Sequence, residues 1–119
     1  MPEPSQLARR VEDVLHRAGL RAYSLEPPYN GGFGLEVIDD AEPPDPAVSV
    51  VWRSSSELLN EVYEHMSNRG DVMHPLVAHA GHINHAMAQA MLEILRSADL
   101  NAQMSTDDMD PLTVEVFLE

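Results

Sequence analysis

The segment Val14-Leu15-His16-Arg17-Ala18-Gly19-Leu20-Arg21-Ala22 returns downstream as Ile94-Leu95-Arg96-Ser97-Ala98-Asp99-Leu100-Asn101-Ala102. In each copy, apolar residues at helical spacing give way to an extended stretch, which is the pattern of a helix that leads into a strand. The echo continues further on, where Leu35-Glu36-Val37 corresponds to Val114-Glu115-Val116. A repeat of this length is typical of a shared supersecondary unit, so the sequence predicts two related α-β-β units.

Three helices are predicted from apolar residues that recur at intervals of three and four. The first covers residues 5–18, with Ser5 as its N-cap and Gly19 as the left-handed residue that ends it. The second begins with a capping box formed by Ser54 and Glu57. Its expected buried face consists of Leu58, Leu59, Val62, Tyr63 and Met66. The third and longest covers residues 75–98 and is expected to be the main core helix. Its predicted apolar stripe consists of Leu76, Ala80, Ile83, Met87, Met91, Ile94 and Ala98.

Alternating and extended stretches predict strands at residues 20–26, 33–39, 47–53, 100–105 and 112–118. The predicted order of elements is therefore α-β-β-β-α-α-β-β. We expect residues 1–119 to form a single α+β domain, in which an antiparallel sheet of about five strands has the three helices on one face.

The chain is strongly acidic, with a formal net charge of −13, and its seven basic residues are all arginines scattered along the sequence. Nucleic acids and anionic membranes are therefore not expected as partners, because binding to phosphates needs clustered basic side chains. The absence of cysteine excludes disulfides and thiolate metal ligands. No stretch has the length and apolarity of a signal peptide or a membrane span, so a cytoplasmic location is expected.

A cluster of histidines at positions 74, 79, 82 and 85 is the most suggestive chemical feature. On a helix, His79, His82 and His85 fall on the side opposite the apolar stripe, so they are expected at the surface. Imidazoles three residues apart can share a divalent ion, with Glu93 or a neighbouring subunit supplying a further ligand. The alternative is a set of surface histidines that bind no metal and form a pH-sensitive patch.

Other motifs give weaker signals, and none of them specifies a catalytic residue. The glycines at 31–34 open onto a strand instead of the helix N-terminus that a phosphate-binding loop needs. The acidic stretch Asp107–Asp110 lacks the spacing of a calcium loop. Glu61 and His65 could form an acid/base pair, but their spacing is also typical of a solvated helix face.

These observations favour a small acidic non-enzymatic binding or adaptor protein that engages a protein partner and forms a homodimer. Its sheet face or the face of its long helix would hold the partner, and no cofactor is expected. One alternative is a metal-binding protein or metal-dependent enzyme that uses His79, His82, His85 and Glu93. Another is a mimic of nucleic acid, whose carboxylates would occupy the basic groove of a DNA-binding protein.

Overall fold

A computed structural model describes residues 3–27, 30–68 and 74–118 of the chain. Its helices are α1 (Pro4–Arg17), α2 (Ser56–Tyr63), which continues into a π-helical turn (Glu64–Asn68), and α3 (Pro75–Ser97). Its strands are β1 (Gly32–Val37), β2 (Val48–Arg53), β3 (Asn101–Met104) and β4 (Val114–Phe117). The α+β class and the three predicted α-helices are confirmed.

The sheet contains four strands in the order β1-β2-β4-β3, and every neighbouring pair is antiparallel. The prediction of about five strands is therefore wrong, and the order of elements is α-β-β-α-α-β-β. The missing strand is the first, at residues 20–26, so the first α-β-β unit does not have the strands predicted for it. Helix α1 is followed instead by β1 and β2, which pair with each other as β3 and β4 do after α3.

Residues 20–26 do not form a strand because local contacts turn the chain immediately after Tyr23. A single parallel bridge joins Ala22 to Phe33 at the start of β1. The Ser24 hydroxyl accepts a hydrogen bond from the Glu26 N–H and donates one to the Glu26 carbonyl, which closes a tight turn. The segment is therefore fixed at one point of the sheet edge, although its alternating pattern matches that of a strand.

The ends of α1 and α3 share the same hydrogen bonds, as the repeated sequence suggests. Gly19 and Asp99 both lie in the left-handed region, with φ of 94° and 63°. The N–H of Leu20 donates to the Leu15 carbonyl at 3.0 Å, and the N–H of Leu100 donates to the Leu95 carbonyl at 3.2 Å. The predicted stop at Gly19 is confirmed, whereas the N-cap of α1 is Glu3 and not Ser5.

This similarity predicts opposite effects for exchanges between the two helix ends. We expect Asp99→Gly to stabilise the fold by about 0.5–1 kcal/mol, because a side chain at positive φ is unfavourable and an acidic group at a helix C-terminus opposes the dipole. Gly19→Asp should destabilise the fold by a similar amount for the same reasons. Thermal unfolding of the two variants measures both changes, and a loss of stability in Asp99→Gly would contradict the assignment.

The core lies between one face of the sheet and two of the helices. Alternate residues of each strand point to that face, where Phe33, Val48, Val50, Val114 and Val116 are all at most 1 % exposed. Helix α1 contributes Val11 and Leu15, and the C-terminal part of α3 contributes Met91, Leu92 and Leu95.

Helix α2 packs against α3 and makes no comparable contact with the sheet, so the prediction of three helices on one sheet face is wrong. The expected buried face of α2 is wrong too, since none of its residues is buried. Its N-cap is Ser55, whose hydroxyl accepts from the Leu58 N–H at 3.3 Å, and not Ser54. Ser54 is instead buried and lies 3.2 Å from the Asn84 side-chain oxygen of α3.

Within the described ranges, no helix combines the length and the apolar character needed to cross a membrane.

Candidate functional site

One face of the sheet is packed against helices, and no helix among the described residues covers the opposite face. The residues on the uncovered face alternate along each strand with those of the core. They include Glu36 of β1, Ser49 and Val51 of β2, and Glu115 of β4. Val51 is 38 % exposed, which is unusual for a valine in a central strand and identifies this face as accessible.

The register of the strands places two carboxylates on either side of a hydroxyl. Glu36 pairs with Ser49 across β1 and β2, and Ser49 pairs with Glu115 across β2 and β4. Because neighbouring strands are about 4.8 Å apart, the two glutamates stand about 10 Å from each other across the sheet. Gln103 of β3 pairs with Glu115 and extends this polar row to the last strand.

A shallow depression of about 320 Å³ lies on this face, and we call it the sheet depression. Among the described residues that line it are the acidic residues Glu36, Asp107, Asp110 and Glu115, and none of these described residues is an arginine or a histidine. The turn before β4 supplies the two aspartates, and the Asp107 side chain holds this turn by accepting from the Met109 N–H at 2.9 Å. The depression therefore concentrates negative charge on a surface that also contains apolar groups.

Tyr23 forms the aromatic part of the sheet depression, and Gly34 makes room for it. A Cβ atom added at Gly34 would collide with the edge of the Tyr23 ring. The guanidinium of Arg53 lies 4.7 Å from the centre of the same ring, in a cation-π contact. An aromatic side chain in contact with one arginine thus borders the group of carboxylates.

Three arginines that do not line the sheet depression donate hydrogen bonds to backbone carbonyl oxygens. Arg10 donates to the Ala98 carbonyl, Arg21 to the Gly31 carbonyl and Arg96 to the Ala102 carbonyl. Within the described ranges, the ion pairs join Glu12 to His16 and Asp13 to Arg17, and both lie on α1. Neither of these ion pairs involves a carboxylate of the sheet depression.

The predicted metal ligands lie on the outer side of α3, where His79, His82, His85 and Glu93 are all exposed. Their predicted surface position is confirmed. The part of the chain that the structure describes contains no group of three or more histidine, cysteine, aspartate or glutamate side chains that could hold a metal ion. A divalent ion bound by these residues stays a prediction, and the metal content of the purified protein tests it.

The remaining histidine of that cluster has a structural role at the start of α3. His74 is the N-cap, and its Nδ1 accepts from the Leu76 N–H at 3.0 Å. Its ring stacks on the ring of His65, with 3.7 Å between the ring centres. The Nδ1 atom of His65 is buried and has no hydrogen-bond partner within the described ranges. The stack joins the end of α2 to the beginning of α3.

Sequence reasoning identified the sheet face as a possible binding surface but missed the residues of the sheet depression. The available signal was the alternation of Gly34 and Glu36 with apolar neighbours, which places both on the solvent side. Glu36 and Glu115 lie on either side of Ser49 because β2 is between β1 and β4. The residue pattern within one strand does not reveal this strand order.

The chain is thus an α+β protein whose sheet has helices on one face and an acidic depression on the other. No protein-family model, curated protein or solved structure matches this chain.

Proposed function

We propose that this chain is a binding or adaptor protein that holds a cationic segment of a protein partner in the sheet depression. The observation that carries the proposal is the lining of that depression, where the described residues include four acidic side chains and no arginine or histidine. An arginine or lysine side chain of a partner would supply the missing positive charge. Charge-assisted hydrogen bonds to carboxylates are stronger than neutral ones, so they suit this role.

The apolar and aromatic groups beside the carboxylates support a peptide segment in preference to a free metal ion. Val51 and Tyr23 offer contact area for the aliphatic part of a long basic side chain. The net charge of −13 would also accelerate encounter with a basic partner. A cytoplasmic location stays a prediction.

The edge of β1 adds a second means of recognition next to the depression. Phe33 exchanges hydrogen bonds with residues 21 and 23 on the side away from β2, so alternation turns the backbone groups of Leu35 and Val37 outwards as well. No described residue donates to or accepts from these groups. An extended segment could pair with this edge while its basic side chains reach the carboxylates.

Calorimetric titration with a capped tetra-arginine peptide tests the proposal. We expect the variant Glu36→Gln/Glu115→Gln to raise the dissociation constant of the peptide at least about tenfold, because each lost charge weakens a charge-assisted contact. The matched control is Glu57→Gln/Glu61→Gln, which removes the same charge from exposed positions on α2. This control should change the constant less than about threefold.

Equal effects of the two pairs of substitutions would show that only the overall charge attracts the peptide, which would reject the site. An unchanged affinity in the sheet variant would reject it as well. Both glutamates lie outside the hydrophobic core, so we expect the double variant to fold, and its circular dichroism spectrum verifies this.

A further inference from the structure

A row of large apolar side chains along α2 and its π-helical turn is only partly covered by the described part of the chain. Leu59, Tyr63 and Met66 recur four and three residues apart, so they lie along one side of the helix. Their exposed fractions are 41 %, 67 % and 43 %. We call these residues the apolar row. Exposed groups of this kind mark interaction surfaces in soluble proteins.

The apolar row lies on a part of the molecule that has almost no interior. Between Pro75 and Met87 of α3, Ala80 is buried, and it does not belong to the main core cluster. The molecule is 52 Å long and its radius of gyration is 15.6 Å, against about 13.5 Å for a compact chain of this length. Helix α2 and the first half of α3 therefore form a helical arm, comprising residues 56–68 and 75–87.

The charge distribution along α3 favours a second copy of this chain as the occupant. From His74 to Leu92 the sequence contains no Asp, Glu, Lys or Arg, although the whole chain has a net charge of −13. Two copies repel each other wherever their carboxylates meet, so they approach best where both present uncharged surface. The exposed glutamates Glu57, Glu61 and Glu64 of α2 would then lie at a solvated rim, as in other interfaces.

We infer that the helical arm is a self-association surface, on which two copies pack their apolar rows against each other about a twofold axis. A pair of helices has one contact line and no enclosed centre, whereas two such pairs form a four-helix arrangement with a core. This arrangement would bury Leu59, Tyr63 and Met66, none of which lines the sheet depression. The inference stands apart from the proposed function, which depends on different residues.

Sedimentation equilibrium of the full chain between about 1 and about 100 μM tests the inference. We expect the wild type to form a dimer, and we expect Tyr63→Glu to raise the dimer dissociation constant at least about thirtyfold, as for a central interface residue. Tyr63 is 67 % exposed, so its replacement should leave the fold of the single chain intact. Circular dichroism of the variant checks this expectation.

The matched control is Met109→Glu, which adds the same charge at a residue that is 85 % exposed and lies in the turn before β4. It should leave the dissociation constant of the dimer unchanged. A monomeric wild type over the whole concentration range would overturn the inference, as would equal weakening by the two substitutions. The Glu36→Gln/Glu115→Gln variant should still dimerise. The experiments therefore distinguish a failure of the proposed peptide binding from a failure of the proposed self-association.

Discussion

Gly32→Ala is expected to destabilise the fold by about 3 kcal/mol or more, because the new methyl group would meet backbone atoms on the neighbouring segment. A Cβ atom at Gly32 would lie 2.6 Å from both the Ala22 carbonyl carbon and the Tyr23 nitrogen. These are backbone atoms of the segment fixed by the Ala22–Phe33 bridge, so they cannot turn aside as a flexible side chain would. Equilibrium unfolding in urea measures the change.

The matched control for this substitution is Gly81→Ala in the middle of α3. A Cβ atom there would meet nothing within 4 Å, and alanine is the better helix former. The control should therefore raise the free energy of unfolding by about 1 kcal/mol. If Gly32→Ala were as stable as the wild type, residues 21–23 would not pack against the start of β1 as described.

Leu95→Ala is expected to lower the free energy of unfolding by about 2–5 kcal/mol, since it removes a completely buried side chain and leaves a cavity. Leu95 is 0 % exposed and belongs to the cluster between α3 and the sheet. Such a loss is a large fraction of the total stability of a small domain. Thermal and urea unfolding measure it, with Leu15→Ala as the corresponding change in α1, where the side chain is also 0 % exposed.

Leu25→Ala is the control for these core substitutions. Leu25 is 75 % exposed, so the same truncation there should change the stability by less than about 0.5 kcal/mol. Similar losses at Leu25 and Leu95 would contradict the position of the core between the sheet and the two helices α1 and α3.

The helices were predictable because their periodicity and their end signals are local. Gly19 ends α1 as expected, and α3 extends over nearly the whole predicted range. The buried side of α3 was only partly predictable. The expected stripe included Leu76, Ile83 and Met87, which are half-buried, whereas Ala88, Leu92 and Leu95 are buried. A single stripe does not describe a helix that packs on α2 in one half and on the sheet in the other.

The segment at residues 20–26 was mispredicted because a tertiary contact overrides its alternating pattern. The approach of Gly32 to the backbone of residues 21–23 and the turn closed by Ser24 determine its conformation. Helix α2 shows a related failure. The spacing of its apolar residues predicts that they are buried against the sheet. The helix packs against α3 instead, so the apolar row remains at the surface.

The sheet depression could not be predicted from a motif, because the order of the strands brings its residues together. The sequence places Glu36 and Glu115 in corresponding positions of the two related segments. It does not show that β2 lies between them and brings Ser49 into line with both. The sequence pointed to the histidine cluster because its members are close together along one helix. Closeness along a helix does not by itself bring three ligands to the same point in space, as a metal site requires.

The most direct test of the proposed binding surface is to map where a cationic ligand contacts the protein. In a titration of the nitrogen-15-labelled chain with the capped tetra-arginine peptide, we expect the largest amide shift changes at Glu36, Ser49, Val51 and Glu115, with little change along α1. Changes concentrated on α1 or on the glutamates of α2, with the sheet residues unaffected, would contradict the account.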